Sequence, residues 1–510
     1  MSDINPPSNW KRLYLCLLFS MLLGLSFPPL QLGFFAYWAF LPLFFLFETC
    51  SPKQALLWGY VAGFFWNLFT LYWVYVATIA GVIGLLLVLP IYVMIYGWLH
   101  VTLREKLGKN YVFLLPAIWV TIEYLRSLGS AGFPWTALAY TQTYYTDLIQ
   151  YADITGVFGV SFWVFLLNII LFILLKERPP IRKTIPLILI LVGLLLIPYI
   201  YGKITQPPRN YPKENIRVGL VQGNIDPYLK WSEGFVDQNF AIYDSLTHLV
   251  YKEDLDLIVW PETATASFVR NKPQYLTYLH ELSDSLDVPI LTGSPDYEVI
   301  AAGEYETYNS VLLFQPNENS LQSYNKMILV PFGERVPLED TFGFLHDFLE
   351  RFNMGTGDFA PGKALGLLNM ELDSRRFPIA GIICYESVFP DHVRRLIMLG
   401  AKLLVIVTND GWYGNTSGPY QHAQIAVFRA IENRVSIARC ANTGISSFID
   451  PYGRILEDSE FNETYVGAME LPIHEKLTFY SRHGDVFAML LAGLSGLAVI
   501  STFLKRRPVA

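Results

Sequence analysis

Apolar positions in this chain follow two different rhythms. Up to about residue 204, and again near the C-terminus, they form long unbroken runs; between about 205 and 480 they come in short runs set apart by polar stretches. The long runs lie at about 12–28, 30–48, 54–78, 80–102, 111–128, 155–175, 184–202 and 485–504. Each is near the ~20 residues that a helix needs to cross a bilayer, so eight spans are predicted. The first run has no small-residue cleavage site behind it and another span follows directly, which predicts a retained helix and a mature chain rather than a removed signal.

The short runs IRVGLVQ, LDLIVW, VPILTG, SVLLFQ, FPIAGIIC, LLVIVT and ISSFID read as strands. Between them lie helix-compatible stretches such as Phe235–Tyr251, Gln274–Leu286, Asp391–Leu399 and Gln421–Asn433. Near-continuous apolar strands alternating with helices predict an α/β layered domain whose strands are covered on both faces. The expected organisation is therefore a seven-helix membrane region at 1–204, an α/β domain at 205–480 inserted between spans seven and eight, and a last span with its tail at 481–510.

Composition agrees with a membrane protein: 53% of the 510 residues are hydrophobic and only 16% charged, too apolar for a soluble chain of this size. A net charge of -7 without a basic patch leaves a nucleic-acid partner no electrostatic footprint. The short loops fix a direction. Lys11 and Arg12 precede span one, Lys53 lies after span two, Arg104, Lys106 and Lys109 after span four, Lys176, Arg178, Arg182 and Lys183 after span six, and Lys505, Arg506 and Arg507 after span eight. The alternate loops are nearly free of Lys and Arg, so both termini are expected in the cytoplasm and the 205–480 segment on the outer face.

Three separated residues in the outer segment carry candidate chemistry. Glu262 in LIVWPET, Lys326 in SYNKMILVPFGE and Cys384 in IAGIICYES each close or follow an apolar run. A thiol attacks only as thiolate, so it needs an acid–base partner and a fixed positive charge. Glu262 follows a buried-type run, where poor solvation raises a carboxyl toward a useful proton shuttle. Of the four cysteines, Cys16 and Cys50 fall in or beside membrane-length runs, Cys440 reads as a buried hydrophobe, and no disulfide framework is implied. Asp410, His422 and Glu432 have weaker claims: His422 has no metal-spaced partner, no Cys or His cluster occurs, and neither metal nor cofactor is expected. Glu123 and Arg126, one turn apart at the outer end of span five, are expected to pair or to reach the interface.

WPET, YNKMILVPFGE and CYES resemble the Glu, Lys and Cys motifs of the nitrilase superfamily, whose fold is an αββα sandwich. VQGNI with Gln222, the nearby Trp231, TNDGWYG, GPYQH and, in the membrane region, GFPW at Gly132 to Trp135 extend the likeness to its membrane-embedded branch, the apolipoprotein N-acyltransferase family of bacteria. That resemblance implies a catalytic Glu262–Lys326–Cys384 triad with Lys326 and a backbone N–H near Tyr385 at the oxyanion. Glu334 and Glu386 are then supporting carboxylates, with Gln222 and Trp231 in positioning roles. It further implies a thioester acyl-enzyme, a phospholipid acyl donor, the N-terminal diacylglyceryl-cysteine of an apolipoprotein as acceptor, and a place in the bacterial inner membrane. A monomer is expected.

Both substrates would carry acyl chains that stay in the bilayer, each buried CH2 contributing about 0.8 kcal/mol. In TFGFLHDFLERFNMGTGDFAPG, Phe344, Leu345, Phe348, Leu349 and Phe352 share one helical face. That segment fits an interfacial arm gating acyl entry and fits equally an ordinary helix packed on the domain. Trp412 and Tyr413 fit a lid or a core cap. A membrane-tethered amide hydrolase with water as acceptor remains open from the residues, as does a non-enzymatic scaffold, although the triad is complete.

Overall fold

The computed structural model describes residues 8–504 apart from 130, 208–213, 233, 252–253, 302, 336–358 and 373–374. Phe344, Phe348 and Phe352 of the expected acyl-entry arm thus lie outside the described residues. The chain forms two compact units: Met1–Tyr75, Ile79–Thr205 and Asp485–Ala510 make the first, and Val76–Thr78 with Gln206–Gly484 make the second.

The first unit is helical. Among the described residues four helices are long and apolar enough to cross a bilayer: Ile79–Phe113, Ala152–Glu177, Ile181–Thr205 and Val486–Leu504. Ile181–Thr205 exposes Leu189 and Ile197 by more than half their surface, the apolar face that lipid would cover. Two of the expected spans take another form. Positions 30–48 break into a short 3-10 turn, Gly33–Tyr37, and a helix of 8 residues, Leu41–Glu48. At the break the Asn168 side chain accepts from Phe40 N (3.0 Å) and donates to Ala36 O (2.8 Å). A buried amide thereby satisfies backbone groups that a continuous helix would have paired internally. Positions 111–128 hold a helix of only 12 residues, Leu115–Arg126, at ~1.5 Å per residue well short of a ~30 Å bilayer core. Glu123 there accepts from Trp119 Nε1 and Leu138 N, both at 2.8 Å. The Arg126 guanidinium stands 6.0 Å from the Tyr92 ring.

The second unit holds two six-stranded sheets. The first contains β1 (Asn215–Gln222), β2 (Leu257–Val259), β3 (Ile290–Ala301), β4 (Glu304–Phe314) and β5 (Gln322–Asn325) in that order, with β12 (Tyr465–Pro472) beside β1. The second runs β6 (Leu368–Leu372), β7 (Arg375–Ile383), β8 (Leu403–Thr408), β9 (Ser436–Ala441), β10 (Ser447–Ile449) and β11 (Ile455–Asp458). In each sheet three central strands are parallel, β1–β2–β3 and β7–β8–β9, with antiparallel strands outside them.

Side-chain alternation builds the layers. Val218, Leu220, Leu257, Val259 and Leu291 of one sheet meet Ile379, Ile383, Val405 and Val407 of the other in one buried cluster. The opposite faces go elsewhere: Val221 and Ile258 pack against helices Val236–Val250 and Pro273–Leu286, while Ala380, Ile382 and Ile406 pack against Pro390–Met398 and Ser417–Asn433. With period 2, the central strands β1, β2, β7, β8 and β9 bury both faces over most of their length, which is why such runs read as continuously apolar. The result is the αββα sandwich that the resemblance implied.

Candidate active site

Glu262 sits three residues beyond the end of β2, Cys384 directly after β7, and Asp410 two residues after β8, so the carboxyl ends of parallel strands deliver them to one region. Lys326 follows β5 and is held to β4 by its own N–H, which donates to Asn309 O at 2.8 Å. Gly293 lets the Glu262 turn pass: a Cβ there would meet Glu262 Cα at 2.6 Å and Pro261 O at 2.6 Å.

Lys326 is 1% exposed. Its Nζ is 3.7 Å from Glu262 Oε1 and 2.8 Å from Glu334 Oε2. Asn309 Nδ2 donates to both acids, to Glu262 Oε1 at 2.7 Å and to Glu334 Oε1 at 3.1 Å. Burial alone would push the ammonium down, but Glu334, then Glu262, and the Cys384 sulfur hold it well above the ordinary lysine value. Lys326 is thus a fixed cation. Burial raises the Glu262 carboxyl and Glu334 adds to the rise, against an opposing pull from Lys326.

Cys384 has φ of 50° and opens a 3-10 turn, Cys384–Val388. For a non-glycine residue this left-handed conformation costs on the order of 1 kcal/mol, and it turns the side chain out of the strand register. Burial pushes the thiol up, Glu262 pushes it further, and Lys326 opposes both. The resting thiol therefore keeps its proton until a base takes it. The Tyr413 hydroxyl and the Thr408 side chain bond to the same sulfur.

Glu386 is fully buried and acts as a tie. Its Oε1 accepts from Tyr324 Oη (2.7 Å) and Met327 N (2.7 Å), and its Oε2 accepts from Ile383 N (3.0 Å). One carboxylate so fastens the lysine segment to the residue before Cys384. Burial would raise it, yet His392 and these N–H donors hold it below the usual carboxylate range.

The other expected residues scatter. Tyr385 is buried with its ring 5.1 Å from Phe389. Gln222 lies at the end of β1 and donates to Glu463 O at 2.8 Å while accepting from Ser446 and Ser459, in a network that braces the strand. Trp231 is 47% exposed. Trp412 stands at the surface, edge-on to Tyr228 with ring centroids 5.3 Å apart, whereas its neighbour Tyr413 reaches the thiol.

Three features go beyond the sequence reading. His422 has a close partner after all: Nδ1 lies 2.8 Å from Asp410 Oδ1, and Nε2 lies 3.2 Å from the Cys384 carbonyl and 3.0 Å from Ser387 Oγ. Arg439 Nη2 donates to Asp410 Oδ2 at 2.7 Å. Burial would raise Asp410, but Arg439 and His422 hold it down at about 2. Donor atoms of Cys384, Asp410 and His422 fall within 4.8 Å of one another, the spread of a metal cluster, yet the imidazole and carboxylate already face Arg439, Ser387 and the Cys384 backbone. The motifs TNDGWYG and GPYQH contained the signal, but their separation in sequence hid the pairing. Asn309 was signalled only by its polarity inside the apolar run of β4. Lys230, next to the motif residue Trp231, carries no signal of its own in the sequence, yet it is 1% exposed and reaches the backbone of Glu262.

A cysteine on a bent strand end, a buried carboxyl and a fixed ammonium on a four-layer αββα sandwich fit a carbon–nitrogen hydrolase domain. The sequence matches the Carbon-nitrogen hydrolase family over residues 217–474 and the Apolipoprotein N-acyltransferase N-terminal domain over residues 19–170. It is 36% identical to the Apolipoprotein N-acyltransferase of Geobacter metallireducens, over 98% of this chain and 96% of the relative. It is 33% identical to that of Chlorobaculum tepidum, over 98% and 97%. The chain belongs to the apolipoprotein N-acyltransferase family, and it is an acyltransferase with the apolar helices of a multi-pass bacterial membrane protein. A solved amidase from Nesterenkonia sp. also aligns, at 16% identity and a TM-score of 0.39, over 55% of this chain and 98% of its own, too distant to add to the assignment.

Proposed function

We propose that this enzyme moves a fatty acyl chain from a membrane phospholipid to the α-amine of the N-terminal S-diacylglyceryl-cysteine of an apolipoprotein. The observation that carries the reading is the buried constellation of Glu262, Lys326 and Cys384, in which Lys326 Nζ stands 3.7 Å from the base and 2.8 Å from Glu334.

In the first half Glu262 takes the Cys384 proton and the thiolate attacks an ester carbonyl of the phospholipid. The oxyanion draws on the Lys326 ammonium and a backbone N–H near Tyr385, interactions able to remove several kcal/mol from the barrier. The C–O bond then breaks, a C–S thioester remains, and the lysophospholipid leaves with the proton from Glu262. In the second half the α-amine attacks the thioester, the N–C bond forms as the C–S bond breaks, and Glu262 accepts the amine proton before the thiolate regains one. Glu334 and Glu386 hold Lys326 and the nucleophile segment rather than move protons. The frame for this chemistry is a multi-pass membrane region, two of whose eight apolar segments are broken or short, with the 205–480 domain inserted before the last span, both termini cytoplasmic and the site on the outer face of the inner membrane, in a monomer.

Incubation with phospholipid should add one acyl mass to the protein, and hydroxylamine should remove it. If Cys384→Ala gains the same adduct, or the wild type gains none, the thioester mechanism is wrong.

A further inference from the structure

Lys230 is a buried lysine between two surface residues. It sits in the 3-10 turn Leu229–Trp231, whose outer members are 49% and 47% exposed, while Lys230 itself is 1% exposed. Its Nζ donates to Glu262 O at 3.5 Å, to Thr263 O at 3.4 Å and to Thr263 Oγ1. An ammonium has three N–H donors, and these three acceptors match them. Asn239 Nδ2 donates to Ala264 O, and Gly293 N to Pro261 O at 3.1 Å, from the other sides of the same segment.

The segment that these groups grip needs holding. Thr263 and Ala266 both have positive φ, 49° and 45°, and each such non-glycine residue costs on the order of 1 kcal/mol. The bend directs the Glu262 and Thr263 carbonyls toward Lys230 and leaves the Glu262 side chain facing Lys326. The titratable group facing Lys230 is Glu262, and the Trp231 ring lies 5.8 Å from its Nζ. On the outer side, the loop that carries Lys230 leans on the turn beside the nucleophile: Tyr228 meets Trp412, and Pro227 Cγ lies 2.8 Å from where a Gly411 Cβ would stand.

We propose that Lys230 is a positioning residue for the base, its buried ammonium holding the left-handed turn of Glu262 and tying it, through residues 227–229, to the 410–413 turn beside Cys384. Burial draws this lysine down to about 8 while Glu262 opposes the drop, as suits a charge kept for a nearby carboxylate. Removing it takes the ammonium donor from the Glu262 carbonyl and the Thr263 hydroxyl, leaves the Thr263 carbonyl with only Ala266 N–H at 3.2 Å, and takes a positive charge away from Glu262.

The proposal rests on lipoprotein N-acylation with Glu262 as base, so E262Q is measured alongside. Full-length enzyme in detergent with phospholipid and a diacylglyceryl peptide gives kcat and KM across pH for wild type, K230M, K230Q and K230R. K230M should lose at least tenfold in kcat with KM within about twofold, and its acid limb should rise by up to about one pH unit. K230Q keeps N–H donors without the charge, so its limb should rise with a smaller loss of kcat; K230R should keep the limb in place. The limb is read independently of how much variant folds. A K230M and K230Q limb at the wild-type pH overturns the proposal, as does a loss in K230R equal to that in K230M. If E262Q keeps wild-type turnover, the assignment of the base falls instead.

Discussion

Strands β7 and β9, both joined to β8 in one sheet, each bring a buried cysteine to the interior, and burial pushes both thiols up. Cys440 continues the strand, and its Sγ donates to Val221 O at 3.4 Å and Val259 O at 3.3 Å across the inter-sheet core. It is held at about 12. Cys384 instead bends out of its strand at φ of 50° and meets Lys326, Glu262, Thr408 and Tyr413. Desolvation by itself makes a thiol inert. What separates the proposed nucleophile from a filler here is a backbone turned toward a cation and a carboxyl in the same dry space.

The sharpest way to break this contrast is to remove each sulfur. Cys384→Ala should lower N-acyl transfer by about 10⁴-fold or more, since the residual rate rests on binding alone. Cys440→Ala should leave the rate within about twofold and lower stability by about 1 kcal/mol, the expected size for one deleted buried atom. Turnover and thermal melts of the two variants decide it, and a Cys440→Ala enzyme as dead as Cys384→Ala would remove the distinction.

Lys326→Met comes next. It leaves the Glu262 and Glu334 carboxylates facing one another, both bonded to Asn309, with no cation between them. Unpairing a buried charge costs about 3–5 kcal/mol, and loss of an oxyanion donor about 10²–10³ in kcat. The melt should fall and turnover should drop by at least that factor. A variant with a normal melt and near-normal turnover would show that the cation does not distinguish Cys384 from Cys440.

The same contrast explains how much of the molecule could be read from its residues. The seven strand runs and four helices chosen from periodicity all fall on observed elements, because buried faces on both sides leave a continuous apolar trace. Strand β9, SIARCA, was missed: Arg439 interrupts the trace, and only the fold shows that its guanidinium is paired with Asp410. Cys384 and Glu262 stand out because each closes an apolar run in a distinctive motif, whereas Lys326, set between SYN and MILV, stands out mainly through the family resemblance. Lys230 and the Asp410–His422 pair do not stand out: the partners of Lys230 follow β2, and His422 lies on the helix Ser417–Asn433, beyond the turn that holds Asp410. In the membrane unit the break within 30–48 left no mark on hydropathy, because Asn168 repairs it from another helix, whereas Gly108, at φ of 59°, ends its helix in the polar loop expected before residue 111.

The smallest predicted effect concerns the base itself. As the proposed base Glu262 would act only when ionised, and burial, reinforced by Glu334, raises its proton affinity above that of an ordinary carboxylate, about 4.3. Acyl transfer should therefore fall as pH drops through that raised value, at a pH where an exposed glutamate would still be charged. Glu334→Gln deletes the negative neighbour and frees Lys326 to face Glu262, and both changes favour the ionised base. The acid limb should move to lower pH, by less than about one unit, while turnover on the plateau falls through the loosened lysine. The direction is opposite to that expected for K230M, because one variant removes an anion near Glu262 and the other a cation. A Glu334→Gln limb that stays fixed or moves upward would mean that Glu262 is not the group titrating, and the charge pairing that sets Cys384 apart would need another base.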